Sequence, residues 1–237
     1  DIRFYNESLT VENGIGNTQD GGVYDVKSVI PDLNNPLLTV TGKAQSDASN
    51  VQKFIWNSGL NDLLGNALKQ FSMRGGAKLD FYLKAPIGSD DSVKVDGKLN
   101  FENARLEYPA LNYLFSDING SLSFTESGMS ADNILAKSGK NEVTINVVPV
   151  KTPDKHESVI AINGILGADD LLNSFDWIPG DWVSGHSEWA TEIHIPHTEE
   201  DYRVRVFAQS SLQGVSFNAS DGLQKKPSSI LPVGIDI

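Results

Sequence analysis

Four histidines, three acidic clusters, one glycine pair and four tryptophans are the residues of this chain whose types could do chemistry. His194 and His197 lie three apart around Pro196, with Glu192, Glu199 and Glu200 nearby. On a strand, positions three apart face opposite sides, so the pair closes on one ion only if Pro196 bends the chain. His156 and His186 are too far away in sequence to place beside that pair. Solvent-facing histidines are therefore expected, and no metal. Asp90-Asp91, Asp169-Asp170 and Glu199-Glu200-Asp201 fall at turns or helix starts, where acidic side chains bond locally to backbone amides. Carboxylates working as acid and base on a glycoside must oppose each other across a cleft, which adjacent residues do not do. Gly14 and Gly16 form a G-x-G without a third glycine, ahead of Asp20-Gly21-Gly22; a hairpin turn is expected there rather than a dinucleotide loop. Neither G-x-S-x-G nor H-E-x-x-H occurs. Asn6, Asn119 and Asn218 each begin an Asn-x-Ser triplet, which matters only in a eukaryotic secretory setting. Trp177, Trp182 and Trp189 crowd a segment with Pro179, Gly180 and Gly185, a grouping that suits either a sugar-binding loop or a core. Trp56 stands apart. The expectation is a protein that is not an enzyme and takes no cofactor.

Composition narrows the classes further. The 237 residues carry 19 basic and 31 acidic side chains, a net charge of −12. No basic face is available to neutralise phosphates, so nucleic acid is not an expected partner. The absence of cysteine removes disulfide scaffolds, thiolate metal sites and thiol nucleophiles. Apolar runs such as Val147-Val148-Pro149-Val150 fall far short of the ~20 residues of a membrane helix. A start at Asp1, with neither Met nor signal peptide, is expected of a piece of a longer protein.

The elements that must position any site are strands. Ala77, Leu79, Phe81 and Leu83 alternate with Lys78, Asp80, Tyr82 and Lys84. The same period of two runs through Val93–Phe101, through Val143, Ile145 and Val147, through Glu188–Ile195, and through Tyr202–Val206. One apolar and one wet face, repeated, is the mark of antiparallel strands. Between 47 and 71 the spacing turns helical, with Ser46 or Asp47 as cap and Gly59 dividing two segments; a shorter helix is expected at 168–175. These helices are read as packing on the sheet.

A weak internal repeat accompanies them. Thr39-Val40-Thr41-Gly42 precedes a helix, then Gly75, an alternating strand and Pro86. Ala161-Ile162-Asn163-Gly164 likewise precedes a helix, then Gly185, an alternating strand and Pro196. One fragment spanning 1–237 is expected, with two stacked units at about 23–96 and 97–237.

Several phrases carry a resemblance. They are Val95-Asp96-Gly97-Lys98-Leu99-Asn100-Phe101-Glu102-Asn103-Ala104-Arg105-Leu106, then Ile118-Asn119-Gly120-Ser121-Leu122-Ser123-Phe124, then Met129-Ser130-Ala131-Asp132-Asn133-Ile134. Ser184-Gly185 with its strand and Pro196 follows, then Ser210-Ser211-Leu212-Gln213-Gly214-Val215 and the tail Leu223–Pro227. In this order, from Val23 onward, they resemble the YhdP branch of the AsmA-like, TamB-related envelope proteins of Gram-negative bacteria. The resemblance implies a mainly β fold: an elongated, strongly curved antiparallel sheet, repeat-like, forming an open apolar groove with short helical insertions. It implies a periplasmic segment of a protein anchored in the inner membrane through parts absent from this chain. It also implies phospholipid acyl chains as partners, conducted between inner and outer membranes, with neighbouring repeats of the same chain stacked alongside. The alternating faces then nominate Leu79, Phe81, Leu83, Val95, Leu99, Phe101, Leu122, Phe124, Val143, Ile145 and Val147 as groove lining. Two other readings stand beside this one: a ligand-free structural or assembly module, and a carbohydrate-binding β-sandwich using the Trp177–Trp189 segment.

Overall fold

Strand-forming alternation dominates the chain, and the computed structural model is built accordingly. It describes residues 1–18, 21–57, 71–88, 93–109, 113–125, 128–152, 155–167, 182–196, 204–218 and 224–236. The strands are β1 (Ile2–Tyr5), β2 (Ser8–Thr18), β3 (Gly21–Ile30), β4 (Leu37–Asp47), β5 (Ser72–Pro86), β6 (Lys94–Tyr108), β7 (Tyr113–Thr125) and β8 (Gly128–Ser138). They continue as β9 (Asn141–Thr152), β10 (Lys155–Gly167), β11 (Val183–Pro196), β12 (Arg205–Ser210), β13 (Val215–Asn218), β14 (Gln224–Lys225) and β15 (Val233–Asp236). Among the described residues one helix, α1 (Ala48–Asn57), follows β4 and precedes β5.

From β1 to β12 each strand pairs antiparallel with the next in sequence, and β15 closes the order beside β12. β13 pairs with the start of β11 and with β14. The result is a single open sheet, not a barrel, as the resemblance implied, built of the antiparallel strands that the alternation predicted. Nearest-neighbour pairing makes the architecture nearly one-dimensional. The division expected at 96/97 falls inside β6, so the sheet has no break there. The two halves of the internal repeat occupy β4–β5 and β10–β11.

Among the described residues five bulges shape the sheet. Asn13, Asp25, Asn103, Asp117 and Asn133 have φ of 53°, 54°, 51°, 50° and 59°. Each lies where the pairing register shifts by one residue. Asn and Asp tolerate the left-handed region better than other side chains, and each bulge adds local bend and twist. Side chains on adjacent strands hold two of them: the Asn103 amide donates to Asn119 Oδ1 at 3.0 Å, and the Asn133 amide to Asn146 Oδ1 at 2.8 Å. A bulge also switches the phase of alternation. On β6, Leu99 and Phe101 face inward before Asn103, and Ala104 and Leu106 after it.

The turn expected at Asn13–Asn17 is one of these bulges instead. Asn13 and Gly14 lie inside β2, with Gly14 tight against Val26 of β3. The sharing of one extra residue between paired strands, not a reversal, explains the Asn-Gly.

α1 bears out the first helical segment expected after residue 47. Asp47 is its N-cap: Oδ1 accepts from the Ser49 amide at 2.9 Å, and Oδ2 from the Gly75 amide at 2.8 Å. Burial alone would raise the Asp47 pKa. The hydrogen bonds from Ser49 and Gly75 and the charge of Arg74 outweigh it and hold the carboxyl below the usual range. Gln52, buried, joins α1 to β5: its amide nitrogen donates to the Phe71 carbonyl at 2.6 Å, and its oxygen accepts from the Met73 amide at 3.2 Å. Ala48 and Val51 enter the core. The second helical segment and the helix expected at 168–175 lie outside the described residues.

Candidate functional site

Pairing register decides which side chains line up across the sheet. Gly16, Val23, Ala44, Leu79, Leu99, Leu122, Ala131, Val147, Ile160, Ile193 and Val206 are successive direct partners, one per strand from β2 to β12. No polar side chain interrupts this rung. At ~4.8 Å per strand it runs for roughly 50 Å along the curve of the sheet, perpendicular to the strands. Flanking rows on the same face are also largely apolar. Ile2, Val11, Ser28, Val40, Leu83 and Val95 form one. Ile134, Ile145, Ile162, Thr191, Ala208 and Ile235 form another.

All eleven residues nominated from sequence meet on this face. Leu79, Val95, Leu99, Phe101, Phe124, Val143, Ile145 and Val147 are buried members of one hydrophobic cluster, and Phe81, Leu83 and Leu122 pack against it. Sequence reading missed the β1–β4 part. There Leu9, Val11, Val23, Val26 and Val40 continue the face, and the bulges at Asn13 and Asp25 hide the alternation.

The face has two kinds of section. From β5 to β10 it is closed; Leu99, at the middle of the rung, is 3% exposed. Towards β1 it opens. Ile2 and Phe4, 69% and 71% exposed, stand on the apolar side of the sheet opposite Val11 and Leu9. At the far edge Ile235, 39% exposed, ends one of the flanking rows. Exposed apolar groups are unremarkable singly, but here they lie in register with the interior rows.

Beside the main rung lies a row of different composition: Gly42, Phe81, Gly97, Phe124 and Met129. The Phe81 ring lies down over Gly42, so that a Cβ built there would stand 2.8 Å from its Cζ. The Phe124 ring covers Gly97 in the same way and still more closely. On the other side of the rung, α1 contributes Ala48 and Val51.

The opposite face is wet. Lys78 and Glu102 are paired at 2.6 Å, and Lys137 with the bulge residue Asp117 at 2.8 Å. Hydrogen bonding and charge from Lys137 hold the Asp117 carboxyl below its usual range. A cavity of about 360 Å³ on this side is lined by Asp25, Thr41, Lys43, Asp80, Tyr82, Asp96 and Lys98, three carboxylates against two lysines.

The chemistry-bearing residues fall elsewhere. His194 sits 3.1 Å from Glu157 Oε1 through Nδ1 and 3.5 Å from Glu192 Oε2 through Nε2. Arg205 reaches Glu157 Oε2 at 3.6 Å. Glu157 is 5% exposed, a burial that nothing in its sequence neighbourhood announces. Among the described residues no group of three or more His, Asp or Glu is placed to hold a metal ion. The acidic pairs, His197 and Trp177 lie outside the described residues. Trp189 is a buried residue of β11, not of a loop, and Trp182 packs edge-on against Phe217 with centroids 6.4 Å apart. A single open sheet does not supply the sandwich of the carbohydrate reading. No described helix is long and apolar enough to cross a membrane.

Comparison with known proteins is consistent with this geometry. The whole chain, residues 1–237, matches the family model described as YhdP protein. Among curated proteins and solved structures nothing matches.

Proposed function

The chain belongs to the YhdP family, and on that premise we propose that it is a periplasmic segment of an inner-membrane-anchored envelope protein that binds phospholipid acyl chains along its apolar face and conducts them between the two membranes. The observation that carries this reading is the uninterrupted rung from Gly16 to Val206, continuous in register with exposed apolar rows at the β1 edge. An acyl chain needs no polar contact. Each CH₂ removed from water contributes about 0.8 kcal/mol, so a path without hydrogen-bonding groups is sufficient to hold one and lets it slide. The reading makes the chain a carrier and not an enzyme, with lipid and adjoining repeats as its partners.

A second reading rests on one specific observation. The closed section from β5 to β10 is a contiguous cluster of buried side chains like an ordinary core, which suits a ligand-free structural module. Native mass spectrometry and organic extraction of the protein purified from cells separate the two. Phospholipid bound at defined stoichiometry supports the carrier; a lipid-free protein from membrane-rich cells overturns it in favour of the module.

A further inference from the structure

The row of alternating glycine and phenylalanine asks for a reason that packing alone does not give. Phenylalanine opposite glycine occurs twice in succession, at Gly42–Phe81 and Gly97–Phe124, each pair directly opposed across neighbouring strands. Both rings lean the same way, towards the preceding strand, and each takes the space a Cβ would fill. A phenylalanine on a sheet ordinarily stands away from it, because strand side chains rise perpendicular to the pleat. Here the missing side chains let both rings lie along the floor, next to Ala44, Leu79 and Leu99 of the rung.

We propose that Gly42 is a positioning residue that holds the Phe81 ring flat, so that the path stays clear for a linear acyl chain where the open part of the face meets the closed part. This rests on the carrier reading above. The Gly42–Phe81 pair is the informative one. Phe81 is only half-buried and lies where the open part of the face meets the closed part, so its ring controls access at that boundary. A methyl group at 42 meets the far end of the ring and the Val26 Cγ2, 3.2 Å away, and not backbone. The ring can therefore swing up without unfolding the sheet, and upright it stands in the path.

The test uses the full 237-residue chain and a fluorescent polyene fatty acid as probe, with thermal unfolding measured in parallel. Gly42→Ala is expected to weaken probe binding at least fivefold. Phe81→Leu, which alters the lining itself, sets the reference, and Gly42→Ala with Phe81→Leu is expected to bind within twofold of Phe81→Leu alone, since no ring is left to rise. A merely structural role for Gly42 would lower the unfolding temperature without this rescue. Gly42→Ala binding as well as the unaltered protein, or a double variant that stays weaker than Phe81→Leu alone, overturns the inference and leaves the carrier reading standing. An unaltered protein that takes up no probe overturns both, and the carrier reading first.

Discussion

Val23 is the position at which a conduit and a core respond most differently. It lies on the main rung between Gly16 and Ala44, in the open section, and is half-buried. Full burial of a valine side chain is worth about 1.5–3 kcal/mol, so losing half of it costs about 1 kcal/mol. An aspartate is also a poorer strand residue by up to about 1 kcal/mol. Val23→Asp should thus leave a folded protein destabilised by about 1–2 kcal/mol. Its carboxylate would nevertheless lie under any acyl chain on the rung, dehydrated and unpaired. A penalty of about 3 kcal/mol for that contact is about a hundredfold in affinity. Leu99→Ala, in the closed section, should do the reverse: about 2–5 kcal/mol of lost stability, with cavity and transfer costs combined. Urea unfolding followed by tryptophan fluorescence gives the first quantity, and titration with the fatty acid probe the second. A folded Val23→Asp protein that binds the probe within twofold of the unaltered one would refute the reasoning.

Two further outcomes follow from local geometry. At Asn133, with φ of 59° and its amide held by Asn146, Asn133→Gly should be nearly neutral in chemical denaturation, whereas Asn133→Val should cost about 2 kcal/mol or more through backbone strain. The depressed pKa of Asp47 means that the unfolded chain takes up its proton first as pH falls. The contribution is therefore full above about pH 4, the ordinary value of an aspartate, and lost as pH drops through the lower folded value. Asp47→Asn should remove it at pH 7 and flatten the acid limb of a stability-versus-pH curve.

The sequence made the strands legible because one face of each is buried and the side-chain period is two. Leu79, Leu99 and Val147 announce themselves by alternation, and the register that joins them follows from simple up-and-down connections. Positions near bulges did not read as clearly. An extra residue at Asn13 or Asp25 reverses the phase midway along a strand, so Val11 and Gly14 fall on one face despite an odd spacing. The phrases that carried the family resemblance are informative in this light. Asn103-Ala104-Arg105-Leu106, Ile118-Asn119-Gly120 and Asp132-Asn133-Ile134 are the bulges and the side chains that latch them, so the resemblance is a record of where the sheet bends. The closure of the section from β5 to β10, and the burial of Glu157, depend on contacts between elements remote in sequence, and no local pattern encodes those.

The central claim is that the apolar face, and not the sheet in general, meets lipid. Photocrosslinking amino acids placed singly at Val23 and Phe81 on that face, and at Tyr24 and Tyr82 on the wet face, test it directly in cells. Phospholipid adducts at Val23 and Phe81 with none at Tyr24 and Tyr82 are the predicted result. Adducts on both faces alike, or on neither, would contradict it.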